Sequence, residues 1–364
     1  MSAAPLLCIA GGGTGGHVMP ACALADTARR HWPGLEVEFI GAERGLEASL
    51  LPERGESVLL LAMHSVQGAG MAQKLRVLMW ELPRAVLRIW RHWRRRRPRL
   101  VVGVGGYASV AGVAAAVLRR IPVVLYEQNA VPGMVNRRLA PFCGKVALGF
   151  AEAASELPDG KCVHTGNLVN PALRQVVWQA HTPPRLLVLG GSQGAVFFNE
   201  TLPEVCARLR RAGHIFTVTH VAGASAGRVE QVSAAYREAG VEAEVIEFCS
   251  EMPALYASGD LLVARAGAMT VSEAATVGMP ALFIPLPHAA DHHQHRNAGV
   301  LADRNGAIVL EQGQSDGERL AEALQVLFQN ERLAGMSRAA REAVPADTEE
   351  RFTELLAPWL GVQP

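Results

Sequence analysis

The sequence predicts an α/β fold made of two doubly wound domains, and three observations lead to this prediction. The chain has 364 residues, about twice the usual size of a single domain. Short apolar strands alternate with longer helical patterns, and this alternation stops and then restarts near the middle of the chain. A glycine-rich loop follows the first strand of each half. These features favour two parallel sheets with helices on both faces.

Composition and cysteine usage restrict the class of protein further. Hydrophobic residues make up 49% of the chain and charged residues 19%, which supplies enough apolar surface for sizeable cores and argues against disorder. The six cysteines form no C-x-x-C pair, and the N-terminus lacks a signal-peptide pattern, so we expect a reducing cytoplasm. The uncharged run over residues 100–118 is interrupted by glycines and predicts a buried strand leading into a helix rather than a membrane span.

The strands of the first half are apolar segments separated by longer helical patterns, and turn glycines and prolines bound those helices, as is typical of βαβ units. Seven strands are predicted, at residues 6–10, 35–40, 58–62, 100–104, 122–126, 145–148 and 162–165.

A polar passage with several prolines, residues 170–184, separates the halves. The second set of strands is predicted at residues 185–189, 216–221, 244–248, 261–264, 281–284 and 307–310. We therefore expect a first domain over residues 1–166, a second over 167–344, and a terminal helix within 345–364. Apolar residues at helical spacing predict that helix, and packing back on the first domain is one option that the spacing does not decide.

The first strand leads directly into Gly11-Gly12-Gly13-Thr14-Gly15-Gly16-His17. Glycines let a backbone approach a ligand, and the amide groups at a helix start attract phosphates or hydroxyl-rich groups. The spacing matches the dinucleotide fingerprint G-x-G-x-x-G, but the second strand ends in Phe39-Ile40-Gly41, where a nicotinamide cofactor requires an acidic residue. The alternative is that the glycines serve only a tight turn.

A second loop, Gly190-Gly191-Ser192-Gln193-Gly194, follows the first strand of the second half. Such a loop at the head of each half predicts two Rossmann-like domains that face each other across a cleft. This arrangement is the GT-B fold of glycosyltransferases.

Residues 265–280 form the most specific segment of the chain. A strand ends at Arg265, a glycine turn at Gly267 opens a helix, and Glu273 follows one turn later. The free amides of such a helix can hold a diphosphate, and a carboxylate at that depth can accept hydrogen bonds from ribose hydroxyls. The segment therefore predicts a nucleoside-diphosphate site.

These motifs, together with Gly105-Gly106-Tyr107 and Glu127-Gln128-Asn129, resemble in order and spacing the bacterial N-acetylglucosaminyltransferases that make lipid II of peptidoglycan. The resemblance covers nearly the whole chain. It implies an inverting transfer of N-acetylglucosamine (GlcNAc) from UDP-GlcNAc to the C4 hydroxyl of undecaprenyl-diphospho-N-acetylmuramoyl-pentapeptide (lipid I), without a metal or other cofactor. It also implies a peripheral location on the cytoplasmic face of the membrane, with cell-wall synthesis proteins as candidate partners.

The resemblance also implies the site residues. Donor-binding residues of the second domain are Ser192, Cys249, Ala268, Met269, Thr270, Val271, Ser272, Glu273 and Gln294. From the first domain, Thr14, Gly15, Gly16 and Asn129 would reach the sugar or diphosphate. His17, Tyr107 and Glu127 would lie near the acceptor. His17 is the first candidate for the general base because imidazole titrates near neutrality, Glu127 is the second, and a purely positioning role for His17 is the alternative.

Three departures from the family pattern stand out. Asn170 replaces an expected arginine that helps to hold the donor, and Arg174 or Arg265 could substitute for it. Cys249 stands where a larger aliphatic residue is common. Histidines at positions 288, 292, 293 and 295 form an unusual cluster, but no third ligand type with recognised spacing accompanies them, so a metal site is the weaker interpretation.

Residues 74–99, called the basic arm below, carry ten basic residues and one acid, Glu81. An apolar stripe along the arm includes tryptophans and consists of Leu75, Leu78, Met79, Leu82, Val86, Ile89, Trp90 and Trp93. This combination favours adsorption to an anionic membrane surface, while packing against the sheet with a solvated basic face is the alternative. A near-zero total charge of +1 and the lack of a recognised module argue against nucleic-acid binding.

Two other functions remain open from the sequence. A UDP-GlcNAc 2-epimerase has the same architecture and donor site but needs no lipid acceptor, so the basic arm argues against it. A non-catalytic nucleotide-sugar-binding subunit is supported only by the change at Asn170.

Overall fold

The computed structural model describes residues 4–64, 70–191, 194–287, 292–314, 317–328 and 330–361. It divides into two compact units. The first comprises Met1–Leu168 and Asp347–Pro364, and the second comprises Val169–Ala346.

The first unit contains a parallel sheet of seven strands in the order β3-β2-β1-β4-β5-β6-β7. The strands are β1 (Leu6–Gly11), β2 (Glu36–Ala42), β3 (Ser57–Leu61), β4 (Leu100–Gly105), β5 (Val123–Glu127), β6 (Lys145–Leu148) and β7 (Cys162–His164). The helices are α1 (Gly15–His31), α2 (Glu47–Glu53), α3 (Met71–Arg76), α4 (Leu82–His92), α5 (Tyr107–Leu118) and α6 (Met134–Leu139). A π-helical turn, Val77–Glu81, joins α3 to α4.

Successive residues of β1 point to opposite faces of this sheet, as the period of a strand requires. Leu7 and Ile9 belong to a core formed with α1 and with the last helix of the chain. Cys8 and Ala10 belong to the opposite core, which Ile89 of α4 helps to fill. Both faces of the strands are therefore covered, which explains their continuous apolar character.

The second unit contains a parallel sheet of six strands in the order β10-β9-β8-β11-β12-β13. The strands are β8 (Arg185–Leu189), β9 (Thr217–Val221), β10 (Ala243–Ile246), β11 (Leu261–Ala264), β12 (Ala281–Phe283) and β13 (Ala307–Val309). The helices of this unit are α7 (Val196–Arg211), α8 (Arg228–Glu238), α9 (Met252–Ala257), α10 (Ala268–Val277), α11 (His293–Ala302), α12 (Gly317–Leu327) and α13 (Asn330–Glu342).

The chain then returns to the first unit and ends in α14 (Thr348–Leu360). Phe352 and Leu356 of this helix are 1% exposed and lie in the core with α1. The ring of Phe352 meets Tyr126 of β5 edge-on, with 4.9 Å between centroids. These contacts place α14 on the sheet of the first unit.

All thirteen predicted strands are present, with ends that differ from the predicted ones by at most two residues. The predicted α/β class with two doubly wound parallel sheets is thereby confirmed. In the described part of the chain, no helix is both long and apolar enough to cross a bilayer.

Candidate active site

The strand order of each sheet reverses at one point, and the glycine loops follow the strands on either side of it. In the first sheet this point lies between β1 and β4, and in the second between β8 and β11. Because loops from neighbouring parallel strands diverge there, a crevice forms at their carboxyl ends, where α/β proteins bind ligands. Each unit therefore has one candidate binding edge.

The loop after β1 has a backbone that only glycine adopts readily. Gly11, Gly12 and Gly13 have φ angles of 146°, 147° and 100°. A Cβ on Gly12 would overlap the carboxyl group of Glu47, and a Cβ on Gly106 would overlap the carbonyl oxygen of Gly12. The glycines are thus required both by backbone conformation and by close packing between loops.

His17, in the first turn of α1, lies at this edge. Its Nδ1 is 3.4 Å from Oγ1 of Thr14, and a Cβ on Gly105 would lie 2.9 Å from its Nε2. The imidazole therefore rests against the turn between β4 and α5. Tyr107 begins α5 directly after this turn. Burial, and then the negative charge of Glu47, raise the pKa of Tyr107, which keeps its hydroxyl protonated as a hydrogen-bond donor.

Glu127 is the last residue of β5, the strand next to β4, and is 2% exposed. Its Oε1 accepts hydrogen bonds from the backbone and side-chain nitrogens of Asn129, at 2.9 and 3.2 Å. Its Oε2 accepts from the amide of Gly133 at 2.9 Å and from Nδ2 of Asn136 at 2.8 Å. Four donors thus surround the carboxylate, which holds the loop that follows β5 and fixes Asn129.

In the second unit, α10 begins at Ala268 without a side-chain cap. Val271 donates its amide to the carbonyl of Gly267 at 3.0 Å. The preceding amides at the start of the helix, those of Ala268, Met269 and Thr270, have no acceptor within it. Their direction and the helix dipole make this end suitable for a diphosphate.

Glu273 lies in the second turn of α10. Its carboxyl accepts a hydrogen bond from the hydroxyl of Tyr256 at 3.2 Å. Burial raises the pKa of Glu273 to about 7, although the bond from Tyr256 acts in the opposite direction. This carboxyl therefore changes charge near neutral pH.

Arg265, at the end of β11, is held within the second unit. Its guanidinium donates to the carbonyls of Ile284 and Pro285 at 2.9 and 3.3 Å and to Oε1 of Gln312 at 2.7 Å. It also lies 4.8 Å from the ring centroid of Phe198. Burial lowers its pKa. These contacts make Arg265 a brace for the loop before α10.

The loop that precedes α11 is also tied to its neighbours. Oε1 of Gln294 accepts the amide of Leu286 at 2.9 Å, and buried Asn297 donates to the carbonyl of Ala266 at 3.2 Å. Cys249 is half-buried between β10 and α9, with a free thiol. Asn297 and Arg265 thus hold the segment that opens α10, whereas Gln294 is bonded to the loop that follows β12.

The departures from the family pattern are partly explained. Asn170 caps a short 3-10 turn by accepting the amide of Ala172 at 3.0 Å. Arg174 donates to the carbonyl of Ala346 at 2.6 Å, so this proposed substitute for the missing arginine braces the segment where the chain leaves the second unit. The guanidinium of Arg265, the other proposed substitute, is bonded to Ile284, Pro285 and Gln312.

Some predicted residues lie outside the described part of the chain. Ser192 and Gln193 of the second glycine loop are among them, and so are residues 288–291 of the histidine cluster. Of the rest of that cluster, His295 bonds the carboxylate of Glu311 at 2.5 Å. Across the residues that the structure describes, no three His, Cys, Asp or Glu side chains are grouped as metal ligands.

The basic arm divides into a buried and an exposed part. Ile89 and Trp93 are at most 1% exposed and pack on the sheet, so this part of the predicted stripe belongs to the core. Leu82, Val86 and Trp90 of the stripe are half-buried. Five exposed apolar side chains, at the start of the arm and just before it, form what we call the exposed face. It consists of Met71, Leu75, Leu78, Met79 and Trp80, which are 58–80% exposed. Arg84 lies 5.1 Å from the ring centroid of Trp80.

Sequence reasoning missed Glu47, Asn136 and Gln312. Glu47 is 1% exposed and bonds the amide of Gly13 at 2.7 Å. The available signal was its position after Gly41 and Gly45, since glycines so close together indicate a backbone that must pass near another group. Asn136 and Gln312 carry no comparable local signal.

Comparisons with known protein families also divide the chain into an N-terminal and a C-terminal domain. The model of the glycosyltransferase family 28 N-terminal domain matches residues 7–148, and that of the C-terminal domain matches residues 185–352.

A protein of Anaeromyxobacter dehalogenans (strain 2CP-1 / ATCC BAA-258) is 41% identical over 91% of this chain and 87% of its own length. It is named UDP-N-acetylglucosamine--N-acetylmuramyl-(pentapeptide) pyrophosphoryl-undecaprenol N-acetylglucosamine transferase. The crystal structure of Acinetobacter baumannii MurG superposes with a TM-score of 0.81 at 30% identity, over 97% of this chain and 99% of that one. A UDP-N-acetylglucosamine 2-epimerase superposes with a TM-score of 0.68 at 15% identity, over 100% of this chain and 98% of that one, which is a likeness of fold alone.

Proposed function

Because the chain belongs to glycosyltransferase family 28, we propose that it transfers GlcNAc from UDP-GlcNAc to N-acetylmuramyl-(pentapeptide) pyrophosphoryl-undecaprenol. The product is the disaccharide lipid used for peptidoglycan synthesis. The observation that carries this conclusion is the 41% identity to a protein with this named activity over 91% of the chain. The binding edges of both units have chemistry that suits the reaction.

The second unit binds the donor. The amides of Ala268, Met269 and Thr270 receive the diphosphate, because they are the unsatisfied donors at the positive end of the α10 dipole. Glu273, with Val271 and Ser272 beside it, receives the ribose hydroxyls. The backbone at Cys249 reads the uracil, Gln294 reads the sugar hydroxyls, and Ser192 contributes to the diphosphate site.

The first unit binds the acceptor and carries the proton transfer. The C4 hydroxyl of the acceptor attacks the anomeric carbon of GlcNAc, the bond to UDP breaks, and the configuration inverts. His17 takes the hydroxyl proton, since an imidazole at a helix start beside Thr14 is suited to general-base catalysis near neutral pH. Tyr107 contacts the acceptor, while Thr14, Gly15, Gly16 and Asn129 contact the transferred sugar or diphosphate.

Glu127 has a positioning role in this proposal. Its two oxygens already accept four hydrogen bonds, so proton uptake would remove an acceptor from at least one of these donors. Its contribution is the fixed position of Asn129.

The departing UDP needs charge stabilisation, which the amides at the start of α10 supply from a fixed geometry. We therefore propose a reaction that does not depend on a metal ion, and activity in the presence of EDTA tests this.

The enzyme acts at the cytoplasmic surface of the membrane, where its lipid acceptor lies. The exposed face of the arm presents Trp80 and Leu78 beside Arg84, and such a surface adsorbs to anionic lipids. Two other basic side chains, His92 and Arg96, bond Glu38 and Glu36 of β2 and fix the arm to the sheet. Proteins of cell-wall synthesis are the proposed protein partners.

The test is to incubate the protein with UDP-GlcNAc and a short-chain lipid I analogue, with EDTA present, and to identify every product. Disaccharide-lipid and UDP are the expected products. Free N-acetylmannosamine with UDP would instead indicate the epimerase, and binding of UDP-GlcNAc without turnover would indicate a binding subunit. Either result would contradict the proposal.

A further inference from the structure

We infer that Glu47 is a positioning residue for the transfer reaction: its carboxylate holds the first glycine loop in the shape that places Thr14 and His17. It also fills the position that a phosphate takes in dinucleotide-binding loops. This inference rests on the proposed function, because GlcNAc transfer is one of its readouts.

Glu47 is the first residue of α2, and it is 1% exposed. Its Oε2 accepts the amide of Gly13 at 2.7 Å, and its Oε1 accepts the amide of Ala42 at 2.9 Å. A buried carboxylate is costly unless hydrogen bonds compensate for its lost hydration. Each oxygen here has a backbone donor, one from the loop after β1 and one from the end of β2. The carboxylate therefore links two neighbouring strand ends.

Three glycines from two chain segments make room for this carboxylate. A Cβ on Gly12, Gly41 or Gly45 would overlap the Glu47 side chain in each case. Gly12 in addition has a φ of 147°, where other residues are strained. The space is thus shaped for one acidic side chain, which distinguishes Glu47 from a carboxylate that merely caps a helix.

The support given by Glu47 extends to His17 through two short contacts. The amide of Gly12 donates to the carbonyl of Gly105 at 3.3 Å, and a Cβ on Gly105 would lie 2.9 Å from Nε2 of His17. A loop that lost its bond to Glu47 would shift against this turn and carry the start of α1 with it. The charge of Glu47 also acts on Tyr107 and helps to raise its pKa.

The same carboxylate explains why a G-x-G-x-x-G loop lies in a domain without a dinucleotide. In a dinucleotide-binding loop, the second glycine lets the backbone approach the pyrophosphate. Here the second glycine is Gly13, and its amide already donates to a negatively charged oxygen. A phosphate at that point would displace or be repelled by Glu47. The amides at the start of α1 are therefore the ones left for the substrate.

The experiment compares Glu47→Gln, Glu47→Asp and Glu47→Gly with the wild type. Glu53→Gln is the control, because Glu53 is an exposed carboxylate on the same helix. Three quantities are measured: the kcat and acceptor KM of GlcNAc transfer, the Kd of UDP-GlcNAc, and hydrogen–deuterium exchange of residues 11–17. The Kd reports mainly on the second unit and shows whether that unit remains competent to bind the donor, while the exchange of first-unit residues outside 11–17 shows whether the first unit remains folded.

We expect Glu47→Gln to reduce kcat/KM for the acceptor on the order of 10- to 100-fold, as misplaced reacting groups do. Exchange over residues 11–17 should accelerate, and the Kd of UDP-GlcNAc should change far less than kcat/KM, because most of the proposed donor contacts lie in the second unit. Glu47→Asp should keep more activity than Glu47→Gln because it retains a carboxylate. Formate should restore part of the activity of Glu47→Gly. Inorganic pyrophosphate should slow exchange of residues 11–17 in Glu47→Gly but not in the wild type.

Several results would overturn the inference. These are a Glu47→Gln variant with wild-type transfer and exchange, equal losses in Glu47→Asp and Glu47→Gln, or no response of folded Glu47→Gly to either formate or pyrophosphate. If Glu47→Gly does not fold, the difference in activity between Glu47→Asp and Glu47→Gln decides whether the inference holds. If the wild type transfers no GlcNAc, the proposed function fails, and the exchange measurements still test the role of Glu47 in the loop.

Discussion

Glu127 shows how a single buried carboxylate can organise a loop. Because its two oxygens each serve two donors, an amide in place of the carboxylate would turn one acceptor into a donor and leave two donors without partners. A buried donor without a partner costs about 1–3 kcal/mol, and of these four hydrogen bonds only the one from Nδ2 of Asn136 is fully buried.

We therefore predict that Glu127→Gln lowers the free energy of unfolding by about 1–3 kcal/mol, measured by chemical denaturation. Glu354→Gln is the control, since Glu354 is an exposed carboxylate on α14, and we expect a change within about 0.5 kcal/mol. A Glu127→Gln variant of unchanged stability that loses more than a hundredfold in kcat would instead assign proton transfer to Glu127.

In the proposed donor site, Glu273 should make donor binding depend on pH. If ribose hydroxyls donate to its ionised carboxyl, binding favours that form, and the pKa of Glu273 is raised to about 7. Affinity should therefore be nearly constant above pH 8 and should fall about tenfold per pH unit below 7. Titration calorimetry with UDP-GlcNAc from pH 5.5 to 8.5 measures this.

Two variants check the assignment to Glu273. Glu273→Gln should bind more weakly and lose the pH dependence in this range. Tyr256→Phe removes the hydroxyl that donates to the carboxyl at 3.2 Å, and because that bond lowers the pKa, the fall in affinity should begin at a higher pH. Unchanged pH dependence in Glu273→Gln would contradict this account.

Single residues also show what sequence reasoning can and cannot find. The glycines after β1 were predictable because positive φ angles and close packing leave only one residue type. Glu127 was found as a residue, but its four donors come from a loop whose shape is set by tertiary contacts. Glu47 was missed because its partners lie 34 and 5 residues away, and the nearby Gly41 and Gly45 indicate a close approach without identifying the group that comes close.

At the scale of elements, the basic arm combines a helix that packs on the sheet with a segment that faces solvent. The predicted stripe was continuous, whereas the structure buries Ile89 and Trp93 and leaves Leu75, Leu78 and Met79 exposed. The π-helical turn Val77–Glu81 contains the exposed Leu78 and Met79 and joins α3 to α4, the helix that carries Ile89. The extra residue in a π turn rotates the following helix relative to the preceding one, and periodicity alone does not reveal such a turn.

The arm should determine membrane binding. We predict that Leu78→Ser with Trp80→Ser reduces binding to vesicles containing anionic lipid by at least about tenfold, since each buried apolar side chain contributes about 1.5–3 kcal/mol. Arg84→Gln should weaken binding about fivefold, and only at low salt, which corresponds to about 1 kcal/mol. Vesicle sedimentation measures both.

The control for the arm is Ile215→Ser in the second unit, because Ile215 is 70% exposed and lies outside the arm. Its binding to vesicles should equal that of the wild type. If the Leu78→Ser, Trp80→Ser double variant bound vesicles as tightly as the wild type, another surface would have to contact the membrane.

At the scale of the whole molecule, the prediction of two doubly wound sheets was correct because the alternation of strands and helices is a local pattern repeated many times. The packing of α14 could not be predicted from the sequence, because apolar residues at helical spacing predict a helix but do not indicate which of the two units it packs on. The structure places Phe352 and Leu356 in the first one. The roles of the two units in the reaction were inferred from resemblance and stay a proposal.

The central claim is that the second unit binds the nucleotide of the donor and that His17 of the first unit accepts the proton. The most direct test measures steady-state transfer to a lipid I analogue, with donor Kd, for the wild type, His17→Ala and Glu273→Ala. We predict that His17→Ala lowers kcat on the order of 10²- to 10⁴-fold with an unchanged donor Kd, whereas Glu273→Ala raises both the donor Kd and the donor KM. A His17→Ala variant that retains the wild-type kcat, or a Glu273→Ala variant that binds UDP-GlcNAc normally, would contradict this division.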